Sequence, residues 1–232
     1  MPLPKIDQPT FELKLPSTGK KIKYRPFTVK EEKILLIARE SKETSDIINA
    51  IEQVVNNCIV STDVDVEDFA TFDLEYVMLN IRGKAINDVV NFNIKDPEFD
   101  EDVELTFNIN DIAIVKDEKH NELIDLGNDF TLKMRYPSTK ELLKLNGRDD
   151  DTSVFDAMVS CMEVLVHGET VYKFSDFTKK EVDDFIEGLP SSGIEAIRVF
   201  FTTLPKMRIE CRYVVQGKEK KFVIEGIETF FM

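Results

Sequence analysis

Few residues of this chain have the type and spacing to do chemistry. Its two histidines, His120 and His167, stand in different contexts. His120 lies in the polar stretch Lys116-Asp117-Glu118-Lys119-His120-Asn121. His167 is expected to end a helix, where the macrodipole mildly favours a cation. Neither belongs to a metal-ligand or nucleophile–base pattern, so each reads as structural. The three cysteines, Cys58, Cys161 and Cys211, are far apart and form no Cys-x-x-Cys pair. That argues against zinc and against a disulfide framework, and it suits a reducing compartment. Gly-x-Gly-x-x-Gly and P-loop patterns are absent, and Gly193 and Gly217 read as isolated turn glycines. The run Asp63-Val64-Asp65-Val66-Glu67-Asp68 hints at a calcium loop. However, Asp68 occupies the position of the obligatory glycine, and Leu74 that of the bidentate glutamate. The acidic runs 96–102 and 149–151 could hold a cation or meet a basic partner, with solvated loops as the plainer reading. Carboxylates without a pocket do not make a catalytic pair. The residues therefore predict no enzyme and no cofactor.

Chemistry aside, the bulk composition describes an ordinary globular chain. It has 232 residues, 42% hydrophobic and 32% charged, enough for one large domain or two small ones. The net charge of −14 repels nucleic-acid phosphates and anionic membranes; it either makes basic protein surfaces the better partners or serves only to keep the protein soluble. No stretch approaches the ~20 apolar residues of a membrane span, and the first residues lack an apolar signal region. A cytoplasmic protein is expected.

The elements follow from periodicity and caps. Residues 1–10 carry three prolines and read as an extended arm. Phe11–Leu15 and Lys20–Arg25 alternate polar with apolar around Pro16-Ser17-Thr18-Gly19, which predicts a hairpin. Thr28 with Glu31 forms a capping box that opens a helix to about Glu40. A second helix starts near Thr44 and lines up Ile47, Ile48, Ile51, Val54, Val55, Cys58 and Ile59. A third spans about Phe72–Arg82, and 89–114 reads as strands around the acidic loop 96–102.

The second half repeats this order. Strands flank the turn Gly127-Asn128-Asp129, and Ser138 with Glu141 is again a capping box. A helix is expected from Thr152 or Ser153 to His167. Thr178 with Glu181 caps another, and a last hairpin turns at Gln216-Gly217-Lys218. The offset that lays Arg25 on Arg135 also lays Lys23 on Lys133, Thr28 on Ser138 and Lys30-Glu31 on Lys140-Glu141. A slightly different offset lays Thr44-Ser45 on Thr152-Ser153 and Asp68-Phe69 on Asp176-Phe177, and a third lays Phe107 on Phe222. The fold class expected is α+β, with two related units in tandem, each a β-hairpin, two to three α-helices and a second β-hairpin. The boundaries expected are an arm at 1–10, a first unit at 11–114, a linker at 115–121 and a second unit at 122–232. The repeated Arg-x-x-[Thr/Ser]-x-Lys-Glu segment reads as a fold element, because a fold requirement recurs in both copies and a binding site need not.

Three runs also carry a family likeness: Met1-Pro2-Leu3-Pro4-Lys5-Ile6, then Leu15-Pro16-Ser17-Thr18-Gly19-Lys20-Lys21-Ile22-Lys23-Tyr24-Arg25-Pro26-Phe27, and Lys30-Glu31-Glu32-Lys33-Ile34-Leu35. These resemble the T4-like bacteriophage baseplate hub assembly proteins of contractile-tailed phages. The resemblance implies partners among the other baseplate hub proteins and a place in the host cytoplasm during virion assembly. It supplies no catalytic residues. It implies a binding surface on the N-terminal arm and first hairpin, with Lys20, Lys21, Lys23, Arg25 and Phe27 as contact candidates. The function expected is a non-enzymatic assembly factor or chaperone that shields a partner's apolar or edge-strand surface. The alternatives are a permanent structural subunit of the baseplate, and an enzyme with an unrecognised acidic metal site.

Overall fold

Alternating apolar residues and capped amphipathic runs build a mixed α+β chain in the computed structural model, which describes residues 6–41, 43–139, 141, 156 and 158–225. In chain order the elements begin with β1 (Phe11–Lys14), β2 (Lys21–Tyr24), α1 (Val29–Ser41), α2 (Thr44–Cys58) and α3 (Thr71–Ala85). They continue with β3 (Val89–Lys95), β4 (Asp102–Asn108), β5 (Ala113–Val115), β6 (Leu123–Gly127), β7 (Phe130–Met134), β8 (Met162–His167) and β9 (Thr170–Lys173). Last come α4 (Lys179–Glu187), α5 (Ser191–Thr202), β10 (Lys206–Val215) and β11 (Lys218–Glu225). The chain divides into two compact units, Met1–Val115 with Lys206–Met232, and Lys116–Pro205.

In the first unit, β1 pairs antiparallel with β2, and the hairpin lays Leu15, Ile22 and Tyr24 on a core of α2 and α3 residues that includes Ile51, Val55, Val77 and Ile81. The periodic stripe predicted for α2 is the face that is buried. The β3–β4 hairpin and the β10–β11 hairpin share a second core of Leu79, Val90, Leu105, Phe107, Met207, Ile209, Cys211 and Ile224. β10 also pairs with β5, Met207 opposite Ile114. This pairing places the last hairpin with the first unit, whereas the sequence boundaries assign it to residues 122–232.

The second unit is a four-stranded antiparallel sheet in the order β6-β7-β8-β9, with α4 and α5 contributing Val182, Ile186, Ile197 and Phe200 to its core. A helix was expected through His167, but residues 162–167 are the strand β8. The start of that expected helix, Thr152–Phe155, lies outside the described residues. The stripe Met158, Val159, Met162, Leu165, Val166 fits a helical face. It fits a buried central strand equally well, since short apolar runs do not separate the two by periodicity. Here β8 is hydrogen-bonded on both sides, to β7 and to β9, and β-branched Val164 and Val166 suit that position. The sequence reading also missed β9 and α5.

Candidate partner-binding surface

The first hairpin is held by its turn and by one edge. Gly19 adopts φ +68°, a conformation a Cβ would strain, which closes the turn as its N–H donates to the Leu15 carbonyl at 2.8 Å. Ser17 donates its backbone N–H to Asp73 Oδ1 at 2.9 Å and its hydroxyl to Asp73 Oδ2, tying the turn to the first turn of α3. Burial raises the Asp73 carboxyl above its ordinary value, against the lowering effect of those two bonds. Beside β2, the Val60 N–H donates to the Lys23 carbonyl at 2.8 Å and Tyr24 bridges to Ile59. The outer edge of β1 has no strand paired to it among the described residues.

Three of the five predicted contact residues are exposed on this hairpin. Lys21 and Lys23 share one face of β2. Lys23 reaches Glu12 at 3.6 Å, an exposed pair. Lys20 donates to the Asp63 carbonyl at 2.5 Å and approaches Asp63 Oδ2 at 3.0 Å. Exposed pairs of this kind contribute little, so these cations remain available to a partner.

Arg25 and Phe27 are placed differently. Phe27 is half-buried against the first core. The Arg25 guanidinium donates to Glu31 Oε1 and Oε2 at 3.1 and 3.4 Å, to the Pro26 carbonyl at 3.0 Å and to the Asn57 carbonyl at 2.9 Å. Burial alone would raise the Glu31 carboxyl. The hydrogen bonds from Arg25 and Thr28 outweigh that and hold it down at about 2. Arg135 repeats the arrangement. It donates to both oxygens of Glu141 at 2.6 and 2.8 Å, to the Tyr136 carbonyl at 3.2 Å and to the Ser160 carbonyl at 2.8 Å. The backbone matches as well: Arg25 N–H donates to the Cys58 carbonyl at 2.9 Å and Arg135 N–H to the Cys161 carbonyl at 2.8 Å. These bonds equate Cys58 with Cys161, which the offset laying Thr44 on Thr152 does not.

Sequence reasoning did not find a second exposed feature. In the second unit, a cleft of roughly 390 Å³ opens between one face of the sheet and α4. Phe130, Leu165, Tyr172, Phe174, Phe177 and Phe185 line it. His167 stacks on Phe130 with ring centroids 3.9 Å apart. The crowding of Tyr172, Phe174, Phe177 and Phe185 into one short stretch was the available signal.

The remaining chemistry-bearing residues are absorbed by the fold. His120 is buried, shares a hydrogen bond of 3.0 Å between Nδ1 and the Thr203 hydroxyl, and stacks on Tyr136. Burial pushes the Cys58 and Cys161 thiols up to about 11. Among the described residues, no group of three or more His, Cys, Asp or Glu could hold a metal ion. Among them, too, no helix is long and apolar enough to cross a membrane.

Compared with known proteins, residues 8–232 match the family model described as T4 bacteriophage base plate protein. No curated protein and no solved structure matches the chain.

Proposed function

The chain belongs to the T4 bacteriophage base plate protein family, and from that membership we propose that it works by protein–protein binding, as a non-enzymatic assembly factor or chaperone for the baseplate hub. The observation that carries the reading is the first hairpin: a β1 edge with no strand paired to it among the described residues, beside the exposed amines of Lys20, Lys21 and Lys23. An unpaired edge offers main-chain donors and acceptors to an extended segment of a partner, and the amines select acidic groups beside it. Arg25 and Phe27 serve this surface by holding it in place, the first through Glu31 and the second through the core. Supplying a temporary strand partner to a hub protein would keep that protein's own edge from pairing wrongly before the baseplate closes.

The test is co-expression with the other hub proteins of the phage. The Lys20→Glu, Lys21→Glu, Lys23→Glu triple variant is expected to lose the complex, with its unfolding midpoint nearly unchanged. A complex that survives the triple variant would overturn the reading. Mass spectrometry of purified virions separates the two possible roles. A chaperone is absent or far below stoichiometric, whereas a permanent baseplate subunit is present at a fixed ratio.

A further inference from the structure

The geometry points to a second docking site, in the Lys116–Pro205 unit. The outer edge of β9 and the aromatic cleft beside it take an extended, cationic segment of another protein. The segment pairs main chain to main chain and seats one apolar side chain in the cleft.

The first support is the edge. All four residues of β9 are exposed, and among the described residues no strand pairs with its outer side. An exposed edge of this kind selects an extended partner over a helical one. The second support is register. Leu165 pairs with Tyr172 and His167 with Thr170, so these four side chains share one face of the sheet. That face carries the cleft. A strand added about 4.8 Å beyond β9 sends every second side chain to the same face, over the cleft mouth. The apolar lining is also accessible from there: Phe177 is 43% exposed, and Tyr172 on β9 is 37% exposed.

Charge then chooses the partner. Six carboxylates, Glu169, Asp176, Glu181, Asp183, Asp184 and Glu187, lie on the stretch that builds the cleft, against three lysines. One of those lysines, Lys179, is taken up by Asp156 at 3.1 Å. Glu181 lines the cleft itself, and a stretch of this charge favours lysine or arginine beside the anchoring side chain and disfavours phosphates. The site uses no residue of the first hairpin, so it stands or falls separately from the reading above.

The test uses the full chain and labelled nine-residue peptides followed by fluorescence polarisation. The probe alternates lysine with valine and carries a central phenylalanine. One control replaces the phenylalanine with alanine, and another replaces every lysine with glutamate. Saturable binding of the probe is expected, at least about tenfold tighter than either control, as the loss of a hot-spot anchor implies. Val171→Pro and Phe177→Ser alter exposed side chains, and each is expected to weaken binding by a similar factor. Unfolding midpoints of both variants check that they fold, and the lysine-to-glutamate variant of the first hairpin should bind the probe normally. The proposal is overturned if the probe does not bind, if the acidic peptide binds as well, or if both chain variants bind normally. A dimer in sedimentation that Val171→Pro dissolves would also overturn it, by making a second copy the occupant.

Discussion

Arg25 and Arg135 show how a charged side chain can look like a binding residue and serve the fold. Glu31 is almost fully buried, so its charge persists only because Arg25 and Thr28 hydrogen-bond to it. Removing one partner of a buried pair leaves the other uncompensated. Arg25→Ala is therefore expected to cost about 3 kcal/mol in urea unfolding, and Arg135→Ala, whose guanidinium is more exposed, about 1 kcal/mol. The two carboxyls also set an acid limit. The folded state holds both near 2, below their unfolded values, so their contribution is present above the ordinary glutamate range. It is lost as pH falls through about 2, which circular dichroism followed from pH 5 downward should show. The cysteines give a different check, because burial raises all three thiols. Ellman's reagent at mild alkaline pH should find no fast thiol in the native protein and three in concentrated urea. The capping role of Glu31 was legible from its spacing to Thr28. Its bidentate link to Arg25, and the bridge from Arg25 to the Asn57 carbonyl, were not, since they depend on where α2 ends in space.

Whether an element was legible depended on how local its determinants were. The hairpins at β1–β2, β6–β7 and β10–β11 carry their own turn residues. At Gln216-Gly217, φ values of +49° and +76° make a two-residue turn of the kind that matches strand twist. Gly217→Val should lower stability by about 1 kcal/mol, since a branched side chain resists that conformation. The helix α4 opens with a full capping box, Thr178 accepting from the Glu181 N–H and Glu181 accepting from the Thr178 N–H. Thr178→Ala should cost about 1 kcal/mol, measured by thermal unfolding. The strand β8 has no such local marker. Its state is set by hydrogen bonds to β7 and β9, and β9 in turn is short and exposed throughout, with no buried face to give it a pattern. The aromatic cleft was legible only in part: Tyr172, Phe174, Phe177 and Phe185 crowd one stretch, but Phe130 and Leu165 join them only through the pairing of β7, β8 and β9.

For the molecule as a whole, the Arg–Glu arrangement recurs, once at Arg25–Glu31 and once at Arg135–Glu141. So do the short 3-10 turns at Val66–Asp68 and Phe174–Asp176, which fall where Asp68-Phe69 and Asp176-Phe177 align. The compact units nevertheless divide the chain elsewhere, because the last hairpin completes the first unit. Asp96 is buried in the β3–β4 loop, where Lys220 and Tyr213 of that hairpin reach it at 2.8 and 2.7 Å. A chain ending at Pro205 is therefore expected to lose cooperative unfolding of the first unit and to keep hydrogen-exchange protection in β6–β9. The pairing of β5 with β10 also bears on how the protein is made. A ribosome delivers the chain from its first residue onward, and domains generally fold as their segments emerge. Residues 116–205 are made before the last hairpin and use none of it, whereas residues up to 115 must wait for Glu225. The unit that begins first therefore matures last. Until then, the apolar faces of β3 and β4 stay uncovered on the nascent chain, and slow translation between residues 115 and 225 would prolong that exposure.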